Sequence, residues 1–327
     1  MTVPNRAIVV GAGPAGYSAC LWLHDLKVPF VWLDQTGQIG GTLRRVGNAI
    51  HNWAGRSFAS GIALADDMAA HADSLGVACV GGWDIGRVDP EDGGWSVHGS
   101  TGSLSAAQVL LATGTRPRPL DVPGVGDWQG RGLEISVTRT RDSYRDLPVC
   151  VVGGGDAALE GALLLAEVTS EVHLVHRATS FRGQPRFVAQ VLGHPHIVVH
   201  TGRRVSELRG SGTDGRLTGV VLDDGHELHV RGIFVRIGVE PSVPDSGVHF
   251  PRTGGYLDPA RSGELLPGLW CAGDVSDGQH QSAIWAAGQG ARAAWGIAAS
   301  LGYVSSVGSA ASPGRPPSRC QVVGSVT

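Results

Sequence analysis

Short apolar runs alternate with glycine turns and helical stretches along most of the chain. The first unit reads RAIVV, the turn GAGPAG, the helical stretch YSACLWLHDL and a second apolar run, PFVWLD. The same order returns about 140 residues later as LPVCVV, GGGDAA, LEGALLLAEV and EVHLVHR. Strand–turn–helix–strand order predicts an α/β fold with parallel sheets and crossover helices. Because the spacing is far longer than a solenoid repeat, we expect two separate nucleotide-binding domains.

Proline marks the exits from two later strands. QVLLATGTRPRPLDVPG predicts a strand followed by a linker, and GIFVRIGVEPSVP predicts a second strand with a similar exit. A last helix is expected to end near Leu301. The Ser-, Gly- and Pro-rich stretch 303–327 predicts a flexible tail.

Composition narrows the class of protein. The 327 residues suffice for about two domains, and a net charge of −3 argues against a broad nucleic-acid surface. No apolar run approaches the roughly 20 residues that span a bilayer. The chain enters a strand early without a basic-then-apolar leader, so we expect a cytoplasmic protein that contacts no membrane.

The cysteines form neither a CxxC pair nor a zinc-type spacing, so no metal site is expected. They lie at positions 20, 79, 150, 271 and 320. Cys150 and Cys271 fall inside apolar runs and are expected to be small buried core residues. Cys320 lies in the tail and is expected to be a free thiol.

The first glycine turn has the features of a dinucleotide site. Gly11 permits the tight turn, Gly13 allows a pyrophosphate to approach the backbone, and Gly16 allows close packing of helix and strand. The helix N-terminus after the turn favours phosphate through its free N–H groups and positive dipole end. Asp34, about 20 residues further on, is placed to accept hydrogen bonds from a ribose diol.

The second turn differs at the end of its second strand. Gly153, Gly154 and Gly155, with Ala158 at the third position of the motif, have the same mechanics, and Asp156 and Ala157 lie between. Where an NAD-preferring site places an acid, this unit has His176, Arg177 and, shortly after, Arg182. Guanidinium groups there bind a 2′-phosphate well, which favours NADPH over NADH. The alternative is a solvated basic edge. Together the two units predict two Rossmann-like three-layer domains.

The motifs together resemble the low-molecular-weight thioredoxin reductase-like family of flavoproteins over roughly residues 5–302. The matching pieces are GAGPAG, GGTL, HNWAG, ATG, GGGDAALE, VHLVHR, IGVEP, CAGDV and HQSAIWAAGQG. The resemblance implies FAD at the first turn and NADPH at the second. FAD would be held by Gly11, Gly13, Pro14, Ala15, Gly16, Asp34, Gln35, Gly41, Thr42, Leu43, Asn52, Gly114, Gly273, Asp274, Gln281, Ser282 and Ala283. NADPH would be held by Gly153, Gly154, Gly155, Asp156, Ala157, His176, Arg177, Arg182 and Gly238.

The resemblance also implies how the domains are arranged. The FAD domain would be split into residues 1–116 and 239–302, with the NADPH domain inserted at 117–238. The linkers are expected near Thr115–Pro119 and Gly238–Pro241. The resemblance further implies a homodimer.

The sequence departs from the family at its redox-active dithiol. Counted back from the second turn, the two cysteine positions of a thioredoxin reductase fall on Ser136 and Arg139. Because disulfide exchange needs a thiolate attacking a sulfur, this dithiol relay is absent, and no catalytic side chain replaces it in the sequence.

The sequence allows several electron acceptors. Family members without the dithiol include ferredoxin/flavodoxin–NADP⁺ reductases, so ferredoxin or flavodoxin is the first expectation. The arginines at 131, 139, 141 and 145 would dock such an acidic carrier, or form an ordinary mixed-charge loop. The alternatives are a small molecule or oxygen as acceptor, near Trp53 and Trp285, and a non-catalytic redox sensor.

Overall fold

The computed structural model describes residues 3–211 and 215–305. Its strands are, in chain order, β1 (Ala7–Val10), β2 (Phe30–Leu33), β3 (Ile85–Glu91), β4 (Gly94–Gly99), β5 (Gly102–Ala106), β6 (Gln108–Leu111), β7 (Thr115–Pro117), β8 (Leu133–Glu134), β9 (Pro148–Val152), β10 (Glu171–His176), β11 (Ile197–Thr201), β12 (Val205–Ser211), β13 (Arg216–Leu222), β14 (Glu227–Leu228), β15 (Gly232–Val235), β16 (Val239–Pro241), β17 (Arg252–Thr253), β18 (Tyr256–Leu257), β19 (Glu264–Leu266) and β20 (Leu269–Cys271). The α-helices are α1 (Pro14–Asp25), α2 (Gly61–Ser74), α3 (Val137–Thr140), α4 (Asp156–Ala166), α5 (Pro185–Leu192) and α6 (Ala283–Ser300). Short 3₁₀ helices span Gly41–Arg45, Val125–Trp128 and Arg141–Tyr144.

The first sheet has the strand order β19-β20-β6-β1-β2. β1 pairs in parallel with both β2 and β6, so Ala7 lies between Phe30 and Gln108. One face packs on α1, α2 and α6, and the other face packs on the antiparallel sheet β3-β4-β5. Alternate residues of β1 supply the two cores, because successive side chains of a strand point to opposite faces. This half therefore has three layers.

The second sheet repeats the design with the order β11-β10-β9-β15-β8, all parallel. One face packs on α3, α4 and α5, and the other on the antiparallel sheet β12-β13-β14. The predicted fold class, two Rossmann-like three-layer units, is confirmed. α6 ends at Ser300, close to the predicted Leu301. Most of the predicted tail, from residue 306 onward, lies outside the described residues.

The two predicted linkers run side by side. β7 and β16 pair in antiparallel fashion, with Glu240 opposite Arg116 and Pro241 opposite Thr115. The Arg116 guanidinium donates to the Glu240 carboxylate at 2.8 Å. This paired connection joins the units at one place, although the domain boundaries at 116/117 and 238/239 stay predictions. Within the described ranges, no helix is both long and apolar enough to cross a bilayer.

Candidate functional site

A cavity of about 720 Å³ opens at the carboxyl ends of the first sheet's parallel strands. The first glycine turn, the 3₁₀ helix Gly41–Arg45 and the start of α6 form its walls. Every residue predicted to hold FAD lines it, except Gly16. The sequence therefore identified nearly the whole wall of one cavity, although the assignment of each residue to FAD stays a prediction.

Glycine is required at two points of the first turn. Gly11 has a φ of +108°, and a Cβ there would lie 2.2 Å from the carbonyl oxygen of Ala112. A Cβ on Gly16 would lie 1.9 Å from the carbonyl oxygen of Gly11, so Gly16 allows α1 to pack against the turn. Gly13 has no neighbour in the direction of a Cβ and caps α1 without a side-chain hydrogen bond. The first N–H groups of α1 are thus left for an anion in the cavity.

Asp34 is held rigidly at the cavity wall. Its Oδ1 accepts from the backbone N–H groups of Thr36 and Gly37 at 2.8 and 3.1 Å. Its Oδ2 accepts from the N–H of Ala12 in the glycine turn at 3.0 Å. A carboxylate oxygen can accept more than one hydrogen bond, so Oδ2 retains capacity for a ribose hydroxyl.

The opposite wall carries Asp274 and the N-terminus of α6. Burial, aided by the nearby Asp277 carboxylate, raises the pKa of Asp274 to about 6. Ser282 caps α6, its hydroxyl oxygen accepting from the N–H of Trp285 at 3.4 Å. The indole N–H of Trp285 donates to Asp277 at 2.9 Å, and the Trp285 side chain is exposed. The helix start faces the cavity through Gln281, Ser282 and Ala283.

These features fit FAD. An uncapped helix N-terminus suits a pyrophosphate, a fixed carboxylate suits a ribose, and a second helix start suits the negative charge of a reduced flavin ring. A cavity of this volume also lies within the range typical of cofactor sites.

The segment that replaces the dithiol lies at the same cavity. Ser136 is buried and precedes α3, whereas Arg139 is exposed and lines the cavity. The Thr138 hydroxyl donates to the carbonyl oxygen of Arg45 at 3.4 Å, and the Thr138 side chain packs against Gly47. The second unit thus rests on the cavity rim through α3.

A second contact between the two units lies beside α3. The side-chain amide of Asn48 donates to Glu160 of α4 at 2.7 Å. The sequence indicated neither this pair, which depends on how two distant units dock, nor the cavity-lining Arg45.

None of the described cysteines lines the cavity. Cys20, Cys150 and Cys271 are buried, and Cys79 is half-buried. Burial raises the pKa of Cys79, Cys150 and Cys271 to about 12 and that of Cys20 in the same direction, so these thiols stay neutral at physiological pH. The prediction of buried core residues at 150 and 271 is confirmed. Cys320 lies outside the described residues.

The second glycine turn is supported from below by His176. A Cβ on Gly154 would lie 2.3 Å from the His176 ring, which is buried and stacks on Phe181 with centroids 5.4 Å apart. His176 Nε2 lies 3.0 Å from the carbonyl oxygen of Ser180. The ring therefore packs under the turn and is occupied by its neighbours. Arg177 and Arg182, both exposed, lie at the same edge.

The loop that follows β10 is tied to the second turn. Asp156 accepts from the backbone and the side-chain amide of Gln184 at 2.6 and 2.9 Å, which lowers the pKa of this carboxyl. The N–H of Arg182 donates to the carbonyl oxygen of Gly154 at 2.9 Å. Gln184, which the sequence analysis missed, is thus a positioning residue for the turn, and Asp156 is engaged with it. NADPH binding by these residues stays a prediction.

The predicted basic stretch is divided by the structure. Arg141 pairs with Glu167 at 3.1 Å and Arg145 with Asp142 at 3.3 Å. Arg131 lies at a separate cavity, described below. Of the four arginines, only Arg139 lines the cavity described here, so the ordinary mixed-charge interpretation fits Arg141 and Arg145.

Residues 5–290 match the family described as Pyridine nucleotide-disulphide oxidoreductase. The chain belongs to this family. It is 30% identical to a thioredoxin reductase of Escherichia coli O157:H7, over 90% of this chain and 95% of that protein. It is 31% identical to a glucosaminate ammonia-lyase of Pseudomonas fluorescens, over 89% of this chain and 93% of that protein.

A solved structure shows the same fold. The thioredoxin reductase of Lactococcus lactis, in its FR conformation, superposes with a TM-score of 0.78 at 23% identity, over 91% of this chain and 99% of that chain. Thioredoxin reductases use FAD and NADPH, so the expected family and cofactors are confirmed. The similarity to thioredoxin reductases favours that branch over the ferredoxin–NADP⁺ reductases expected from the missing dithiol.

Proposed function

We propose that this protein is an NADPH-dependent FAD oxidoreductase that delivers electrons to its acceptor without a protein dithiol. One observation carries the proposal: Arg139, at a cysteine position of the thioredoxin reductases, lines the first cavity, and none of the described cysteines does. Bound FAD supplies the chemistry, because it accepts a hydride from NADPH and donates electrons singly or in pairs.

The residues of the chain bind and orient the two cofactors. The N–H groups at the start of α1 hold the FAD pyrophosphate, and Asp34 holds the ribose. The start of α6, capped by Ser282, stabilises negative charge at the opposite end of the cavity. Arg177 and Arg182 bind the 2′-phosphate that distinguishes NADPH from NADH.

We propose an acidic carrier protein, ferredoxin or flavodoxin, as the acceptor. Arg45 and Arg139 both line the first cavity, and within the described part of the chain neither guanidinium has an ion-pair partner. Unpaired guanidinium groups at the rim attract carboxylates and raise the rate of encounter with an acidic partner.

A small anionic molecule is the second candidate acceptor. α3 packs on the rim through Thr138 and Gly47, and the Asn48–Glu160 hydrogen bond lies beside it. In this arrangement the Arg139 side chain is placed at a partly covered cavity, which suits a small carboxylate better than the surface of a protein.

Rapid mixing of the anaerobic holoprotein with NADPH or NADH tests the first step. We expect loss of the oxidised flavin absorbance with NADPH, and a slower loss with NADH. An absorbance that stays unchanged with both would overturn the enzyme proposal in favour of a non-catalytic sensor.

A panel of acceptors then tests the second step. Reduced holoprotein is mixed separately with ferredoxin, flavodoxin, oxygen and oxidised thioredoxin. Arg139→Ala is compared with Arg145→Ala as a control, because the guanidinium of Arg145 pairs with Asp142 away from the cavity. If a carrier protein is the acceptor, we expect the KM for that carrier to rise with salt, and to rise in Arg139→Ala but not in Arg145→Ala. Turnover with oxygen alone would favour the small-molecule acceptor, and turnover with thioredoxin would contradict direct transfer.

A further inference from the structure

A second cavity, of about 470 Å³, lies in the second unit. We call it the arginine pocket and define it by Arg131, Glu134, Ser143, Tyr144, Arg216 and Arg231. The basic stretch predicted from the sequence includes Arg131, but none of the pocket's residues has a role in the function proposed above.

The arginine pocket lies at the end of the sheet opposite to the second glycine turn. Arg131 comes shortly before β8, Leu147 directly before β9, and Arg231 directly before β15. These three parallel strands are neighbours in the sheet, so their amino ends meet at one edge. The glycine turn follows the carboxyl end of β9, five residues or about 15 Å further along the strand. A ligand in the arginine pocket is therefore separate from one at the turn.

The three arginines are carried by anchored backbone on different elements. The N–H of Arg131 donates to Trp128, and its carbonyl accepts from Leu217 at 2.8 Å. The N–H of Arg231 donates to the carbonyl of Pro148 at 2.8 Å, and Arg216 begins β13. Fixed attachment points lower the entropy lost when a ligand binds the guanidinium groups.

Arg131 and Arg231 give the described lining an excess of positive charge. Glu134 is the only carboxylate among the lining residues that the structure describes, and its Oε1 already accepts from the Tyr144 hydroxyl at 2.8 Å. Within the described ranges, neither Arg131 nor Arg231 has an ion-pair partner. The chain as a whole carries a net charge of −3, so this concentration of cations is a local feature.

We propose that the arginine pocket binds a small dianion through the guanidinium groups of Arg131 and Arg231. The planar fork of an arginine matches the oxygens of a phosphate or a carboxylate with two parallel hydrogen bonds. The Ser143 hydroxyl, at the same wall, adds a donor. A phosphomonoester and a dicarboxylate share this chemistry, and the cavity volume suits a molecule of that size.

Calorimetric titration of the FAD-loaded protein tests the proposal. Inorganic phosphate, AMP and succinate are titrated separately at matched ionic strength, in the wild type and in Arg131→Gln/Arg231→Gln. Arg252→Gln serves as the control, because it changes an exposed arginine on β17 that lines neither cavity. Arg177→Gln is measured as well, to reveal anions that bind at the second glycine turn instead. Both replaced side chains of the double variant are exposed, and circular dichroism checks its fold.

We expect at least one anion to bind the wild type and the control equally, and to bind the double variant about tenfold more weakly or worse. Preference for phosphate and AMP would identify a phosphate ester as the ligand class, and preference for succinate a dicarboxylate. Absence of binding by all three anions, or binding that Arg177→Gln reduces and the double variant leaves unchanged, would overturn the proposal.

Discussion

Gly154→Ala is expected to destabilise the second unit by displacing the ring of His176. The added methyl group would lie 2.3 to 2.5 Å from three ring atoms, a separation that side chains do not tolerate. The ring cannot turn away freely, because it is buried, stacks on Phe181 and makes a hydrogen bond with Ser180. The backbone of Gly154 is not left-handed, so the effect comes from this contact alone.

The magnitude follows from the cost of overpacking a buried position. Forcing an extra methyl group into a packed interior typically costs about 1–3 kcal/mol. The Arg182 N–H donates to Gly154 at 2.9 Å, so a shift of the turn also moves the exposed arginines beside it. We therefore expect a loss of about 2 kcal/mol in unfolding free energy and a raised KM for NADPH.

Urea unfolding of the holoprotein, followed by circular dichroism, measures the loss, and FAD fluorescence records cofactor release separately. Gly155→Ala is the matched control, since a Cβ on Gly155 would meet no atom within 4 Å. His176→Ala completes a double-mutant cycle, because it opens the space that the methyl group needs. We expect Gly155→Ala to raise the KM for NADPH without the loss of stability. We expect Gly154→Ala/His176→Ala to be more stable than the sum of the two single changes predicts.

Equal stability of Gly154→Ala and Gly155→Ala would show that the contact with the His176 ring has no energetic effect. So would a cycle without coupling between Gly154 and His176, because the predicted effect passes through that ring.

Three further predictions concern the first cavity. Because burial raises the pKa of Asp274 to about 6, the FAD-free protein should lose stability as the pH rises from about 4 to above 6. Asp274→Asn should remove this loss. In urea unfolding, this variant should be more stable than the wild type by up to about 2 kcal/mol at pH 8 and hardly more stable near pH 4. A gain at low pH only would contradict this sign. Ser282→Ala should cost about 1 kcal/mol and release FAD at lower temperature, and unchanged release of FAD fluorescence would argue against a role of the cap. Gly290→Ala should destabilise the α1–α6 contact, since its Cβ would lie 2.0 Å from the carbonyl oxygen of Ala15. Gly288→Ala has open space around its Cβ and should stabilise the protein by up to about 1 kcal/mol in thermal unfolding. Equal effects of the two changes would contradict the close packing of α1 on α6.

The sequence predicted the features that depend on local geometry. Gly11 and Gly16 were identified because a turn of this kind leaves no room for a side chain, and the structure shows both close approaches. The alternation of apolar runs and turns predicted two sheets, since each strand and its crossover helix are adjacent in the chain.

Features that depend on docking or on side-chain direction could not be predicted. Arg139 faces the first cavity while Arg141 and Arg145 pair with acids elsewhere, although all three lie within seven residues. His176 ends a strand facing inward, so it supports the turn from below, whereas Arg177 is exposed. Strand periodicity alternates the faces, but the sequence alone did not fix which face is buried at the strand end.

Anaerobic titration of the FAD-loaded protein with dithionite tests whether FAD is its only redox centre. A protein whose only redox centre is FAD takes up a single two-electron equivalent per FAD, whereas a protein with FAD and a redox-active disulfide takes up two. We expect full reduction at one equivalent per FAD, with no change in the count of free thiols. Uptake of two equivalents, with new thiols appearing, would contradict electron delivery without a dithiol.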